Sequence, residues 1–100
     1  LFYQKVSKEG AAKAFGKSIE ETTDEERKDF EDFIFWHLAS LSAKYDMPFQ
    51  IHTGQARVQG SNPLNLANLI EGNPRTKFAL FHGGYPWVGE TGVLAQRLRN

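Results

Sequence analysis

The chain has 100 residues, 40% hydrophobic and 24% charged, the proportions of one small soluble globular domain. Lys plus Arg equals Asp plus Glu, so the formal net charge is zero, which speaks against a nucleic-acid partner, since neutralising phosphates needs a basic excess. No apolar run reaches the roughly 18 residues of a membrane span, no signal-peptide pattern opens the chain, and the absence of cysteine leaves His, Asp and Glu as candidate metal ligands.

In chain order, "SKEGAAKAFGK" suits a short helix capped by Ser7 with Gly16 near its end. A polar connector follows over residues 17–23. Thr23 and Glu26 stand at capping-box spacing, and Asp24 and Glu25 favour the positive end of a helix dipole, so a long helix is expected to start there. Phe30, Phe33, Ile34, His37, Leu38, Leu41 and Tyr45 recur at spacings of three and four, the stripe of a helix packed on a sheet, and Pro48 is expected to stop it. His37 lies mid-helix in that stripe and reads as structural.

After Pro48 the period changes to two, with Phe49, Ile51 and Thr53 on one face and Gln50, His52 and Gly54 on the other. A polar loop over residues 55–61 leads to a helix with Asn62 as N-cap and Pro63 at its first position. Leu64, Leu66, Ala67, Leu69 and Ile70 make its apolar side, and Gly72 and Pro74 end it. In "KFALFHGG" Phe78, Leu80 and His82 alternate with Ala79, Phe81 and Gly83. A last helix is expected from about residue 87 to 99, with Val88, Leu94, Ala95 and Leu98 inward.

Strands alternating with helices imply right-handed βαβ units and a parallel sheet. His52 and His82 are 30 residues apart, each closing an apolar strand and each followed by a glycine-bearing turn. A (β/α)8 barrel of about 250 residues spends roughly 31 on each unit, although a doubly wound open sheet has a similar period. Both architectures put their active sites at the carboxyl ends of strands. Two imidazoles on that rim can reach one metal ion or one substrate, and imidazole suits zinc and related divalent ions. The chain begins at Leu1 without an initiator Met and stops at Asn100 with no polar tail, so residues 1–100 are expected to be an internal segment of one larger domain.

At "MPFQIHTG", "NPLNLANLIEGNPRTKFALFHGGYPW" and "ETGVLA" the sequence resembles the amidohydrolase superfamily, in its branch of amidohydrolase-related metal-dependent hydrolases. The resemblance implies a partial (β/α)8 TIM barrel, about strands 5 and 6 with flanking helices. It implies a divalent metal ion, zinc foremost, with His52 a metal ligand. It makes His82 either a ligand to a second metal or a catalytic residue acting on water or substrate. The first-strand His-x-His and eighth-strand Asp of the family are not in this chain. Gln55 and Tyr85 are the candidate substrate-binding residues; Arg57 and Trp87 are weaker ones, and Glu90 reads as a dipole partner. The implied activity is hydrolysis of a C–N or C–O bond in a small polar molecule by metal-activated water. Alternatives are a decarboxylase or uronate-type isomerase on the same site, or a silent barrel domain that binds a ligand or partner. A cytoplasmic protein with a small-molecule substrate, no nucleic-acid or membrane partner, and a homo-oligomeric state open to it completes the expectation.

Overall fold

A computed structural model describes residues 2–55 and 59–100. Among these residues four α-helices and two strands run in the order α1 (Lys8–Ala12), α2 (Asp24–Lys44), β1 (Phe49–His52), α3 (Ala67–Glu71), β2 (Phe78–Phe81) and α4 (Val88–Arg97). The strands are parallel neighbours, with Phe49 opposite Phe78 and His52 opposite Phe81. This is the βαβ unit expected from the alternation of periods.

The start signals act where the sequence places them. Ser7 accepts from the Gly10 amide, Thr23 from the Glu26 amide and Asn62 from the Leu64 amide, each satisfying a donor that a helix start leaves unpaired. Two expectations are corrected. Residues 17–23 are not a plain connector, because Ser18 and Glu21 close a capping box around a 3-10 turn, Ile19–Glu21. The helix from Pro63 is split into a 3-10 turn, Pro63–Leu66, and then α3.

Pro48 is not what stops α2. The helix ends at Lys44 in a Schellman arrangement: the Met47 amide donates to the Ser42 carbonyl and the Asp46 amide to the Ala43 carbonyl. Asp46 occupies the left-handed position, φ +50°, usually given to glycine. Lys77 pairs with the Asp46 carboxylate at 2.8 Å and holds its pKa below the usual range.

The face that α2 buries is also corrected. Asp32 and Ala39 are its buried residues, and Phe35 and Trp36 pack on the core. Ile34, His37, Leu38 and Tyr45 are exposed, and His37 stacks on Phe33 on this outer side. α2 carries apolar residues around most of its circumference, so periodicity alone does not choose a face. Local partners choose it. Ala39 is fully buried, and its carbonyl accepts the buried Thr76 hydroxyl at 2.7 Å. The Trp36 indole N–H donates to the Tyr3 carbonyl, and Asp32 accepts from the Gln4 amide and from Lys28.

Leu66, Leu69 and Ile70 complete the core with Ala39, and Phe49, Ile51, Phe78, Leu80 and Leu98 pack against it. The helices therefore cover one face of the sheet. Gln50, His52 and Phe81 lie on the other face and are exposed. In α4, Leu94 is buried as expected, but Val88 and Ala95 are exposed rather than inward.

Candidate active site

His52 is the last residue of β1, in phase with Gln50 on the uncovered face. Its ring touches that of Phe81, its opposite number on β2, with centroids 4.9 Å apart. His82 follows Phe81, so the two histidines are not equivalent in the ladder. Carried on as strand, residue 82 would fall in phase with Phe78 and Leu80 and meet the helices. Instead His82 has φ +66° and opens a tight turn, His82–Gly84, in which Gly83 and Gly84 are left-handed too. The turn swings the imidazole back across the strand end. His52 Nδ1 and His82 Nε2 come to 3.0 Å, with ring centroids 5.0 Å apart.

The two rim turns are joined by close contacts. The buried Thr53 hydroxyl donates to the Phe81 carbonyl at 2.9 Å. The Gln55 amide donates to the Tyr85 carbonyl and the Gly54 amide to the Ser61 carbonyl. Gly54, at φ +66°, lets this happen: a Cβ there would lie 2.0 Å from the Tyr85 carbonyl oxygen. Gln55 and Tyr85, both candidates for substrate contact, are thus brought together through their backbones, and both side chains are exposed. Arg57 lies outside the described residues. Trp87 is half-buried, its amide bound to the Gly84 carbonyl, and Glu90 sits in the first turn of α4 as a dipole partner would. His37 lies on the exposed outer face of α2, away from the sheet.

Beside His52 opens a cleft of about 500 Å³ whose walls include Tyr3, Lys28, Glu31, Asn62 and Asn65. Burial, with the Asp32 and Glu31 carboxylates nearby, pushes the Tyr3 phenol above its ordinary pKa.

The paired nitrogens suit a divalent ion in part. Two nitrogen ligands at about 2.0–2.1 Å from one ion, at octahedral to tetrahedral angles, stand roughly 2.9–3.4 Å apart. The observed 3.0 Å falls within that range. Among the described residues no group of three or more His, Cys, Asp or Glu side chains is placed to hold a metal, so this pair offers two ligands of the three or four that zinc takes.

The family model described as Amidohydrolase matches residues 12–100, which includes both strands, His52 and His82, and the rim glycines Gly54, Gly83 and Gly84. The chain belongs to the amidohydrolase family. No curated protein and no solved structure gives a significant match. Amidohydrolases are TIM barrels in general and use divalent metals in general, and the family includes decarboxylases and isomerases beside hydrolases. This chain supplies two adjacent parallel strands of α/β type, and among its described residues no helix is long and apolar enough to cross a membrane.

Sequence reasoning missed Thr53 and Asp32. The signal for Thr53 was present: it shares a face with Phe49 and Ile51, and a hydroxyl on a core-facing position needs a partner. Asp32 is one of several acidic residues on α2, and nothing in its own spacing marks it as the buried one.

Proposed function

We propose that the chain forms the strand-5 and strand-6 part of a (β/α)8 amidohydrolase barrel and supplies the His52–His82 half of its metal-dependent active site. The observation that carries this reading is the 3.0 Å approach of His52 Nδ1 to His82 Nε2 at the carboxyl rim of two parallel strands. The solvent-exposed surface adds support. It is 7036 Å², against about 5,700 Å² for a compact monomer of this mass, and the bare sheet face bearing His52 and Phe81 is part of the excess. In a barrel that face would be the interior.

His52 and His82 would hold a divalent ion, zinc being the first candidate. Bound there, the ion supplies Lewis acidity and lowers the pKa of a water toward neutrality. The same two ring nitrogens that meet at 3.0 Å are the ones that would turn to the ion. Phe81, against the His52 ring, limits where that ring can turn. The cleft beside His52 is of small-molecule size, and its polar walls suit a polar substrate. Gln55 and Tyr85, side by side on the rim, are the substrate contacts we assign. The reaction we favour is hydrolysis of a C–N or C–O bond.

Metal analysis and activity of His52→Ala and His82→Ala test this. His52→Ala should lose bound metal and activity together. His82→Ala should lose turnover while keeping metal if it works on water or substrate, and lose one metal equivalent if it is a ligand. Assays with amide, ester and aromatic carboxylate substrates separate hydrolysis from decarboxylation. Full metal content and full activity in both variants would end the metal-site reading.

A further inference from the structure

We propose that Thr53 is a positioning residue: its hydroxyl clips the two rim turns together and holds His82 in the left-handed turn that faces His52. The proposal rests on the reading of the histidines as a metal-holding pair, and it assigns the means by which their spacing is set.

The argument starts from strain. A residue with a side chain adopts the left-handed conformation at a disadvantage of about five- to thirtyfold. Such a conformation persists at one position only where the surroundings over-determine it. His82 needs it, because without the turn its ring would point to the helix-covered face. The two glycines that follow it permit a reversal of the chain but do not choose it, since glycine visits both signs of φ readily. Something outside the turn must choose.

The first turn does so by gripping the second at both ends. Ahead of His82, the Thr53 hydroxyl holds the Phe81 carbonyl at 2.9 Å. Beyond it, the Gln55 amide holds the Tyr85 carbonyl at 2.8 Å, and the Tyr85 amide closes back on the His82 carbonyl at 3.1 Å. His82 to Gly84 is the segment between the two grips. The backbone grip requires only that residue 55 is not proline, whereas the Phe81 grip depends on one side chain. Thr53 is 3% exposed on the core-facing side of β1, where valine would fill the same volume. Its hydroxyl has the Phe81 carbonyl as the acceptor that burial demands. The residue that turns toward helices at the end of β1 thereby controls the backbone that carries a ring to the opposite face.

Two variants separate the hydroxyl from the volume. Thr53→Val keeps shape and removes the donor; Thr53→Ser keeps the donor. The first readout is the nuclear Overhauser effect between the His52 and His82 ring protons in metal-free protein with labelled histidine. The second uses Cu²⁺ alone as probe, counting coordinated imidazoles by electron paramagnetic resonance and measuring affinity by titration. Wild type and Thr53→Ser should show the inter-ring effect and two imidazoles. Thr53→Val should weaken the inter-ring effect, shift the count to one and lower Cu²⁺ affinity about tenfold, as expected when one buried hydrogen bond selects the competent state. If valine does not allow folding, Thr53→Ala with the serine rescue makes the same comparison. An undiminished inter-ring effect in Thr53→Val or Thr53→Ala overturns the clip. A wild type with the inter-ring effect but fewer than two coordinated imidazoles overturns the metal reading instead, and leaves the clip to be decided by the ring contact alone.

Discussion

Two glycine substitutions measure how tightly the rim turns bear on each other. Gly83 and Gly54 both have positive φ, +57° and +66°, so replacing either by alanine costs the left-handed penalty of about 1–2 kcal/mol. At Gly83 a new Cβ meets nothing within 4 Å, and that penalty is the whole cost. At Gly54 the Cβ would stand 2.0 Å from the Tyr85 carbonyl oxygen and 2.8 Å from the Gly84 carbonyl carbon. An ordinary contact would push the turns apart by more than 1 Å. That breaks the hydrogen bond from Gln55 to Tyr85, about 1 kcal/mol, and adds overpacking strain of about 1–3 kcal/mol. Gly54→Ala should therefore destabilise the protein by about 3–6 kcal/mol, about 2–4 more than Gly83→Ala. Urea unfolding of both variants beside wild type measures the difference from the midpoints at constant slope. Because the backbone that must move carries His82, Gly54→Ala should also bind metal more weakly, whereas Gly83→Ala should not differ from wild type by more than a few-fold. Equal destabilisation of the two variants would refute the reasoning, since it would mean that the turns do not press on one another.

Other residues give independent checks. Leu69 has no exposed surface and sits in the centre of the core, so Leu69→Ala should cost about 2–5 kcal/mol in the same urea experiment. Lys28→Met leaves the buried Asp32 carboxylate, among the described residues, with the Gln4 amide and should cost about 3–5 kcal/mol; Lys28→Met combined with Asp32→Leu should recover much of that, and a harmless single variant would show that the pair does not hold this face. Tyr3 has a raised pKa, so in the folded protein its phenol stays protonated where the unfolded chain has begun to ionise. The stability this contributes is complete below the ordinary tyrosine pKa of about 10 and falls as pH rises through the folded value. A plot of unfolding free energy against pH should drop less steeply above pH ~10 in Tyr3→Phe than in wild type, and parallel curves would remove Tyr3 from the explanation.

The architecture was legible where one signal dominated. The change from period three and four to period two at Pro48, the Asn62–Pro63 start and the second alternating run at Phe78 were enough to place two parallel strands joined by a helix, and the register bears this out. Face selection on α2 was not legible. Phe30, Ile34, Leu38 and Tyr45 form as good a stripe as Phe35, Trp36 and Ala39, and the deciding groups lie far away in sequence. The Thr76 hydroxyl reaches the Ala39 carbonyl across 37 residues, and the Tyr3 carbonyl reaches the Trp36 indole across 33. Asp32, next to that face, is buried where the Gln4 segment crosses it and donates its amide. A helix with two apolar faces is assigned by its neighbours, not by its own period.

The histidine pair shows a different limit. Counting alternation places the His52 ring correctly, but it puts His82 in phase with Phe78 and Leu80 on the helix-covered face, and a shared site depends on register and on the turn that follows β2. Pairing His52 with Phe81 would send His82 to the wrong face, so strand geometry alone argues against the pair that the fold makes. What restores it is a left-handed residue, and a histidine at φ +66° has no local sequence signature beyond the two glycines after it. The decisive information is held in Thr53 and Gly54, 28 or more residues earlier. Threonine there is the one polar side chain on a core-facing row, and glycine is the one residue thin enough to admit the Tyr85 carbonyl. Read together, "HTG" and "HGGY" are therefore not two copies of a turn. The first is a strand end whose threonine and glycine shape a socket, and the second is the strained turn that the socket holds. On this view alanine at Gly83, where a Cβ meets nothing, should be tolerated better than alanine at Gly54, where it meets the Tyr85 carbonyl, which is the order of effects that their comparison measures.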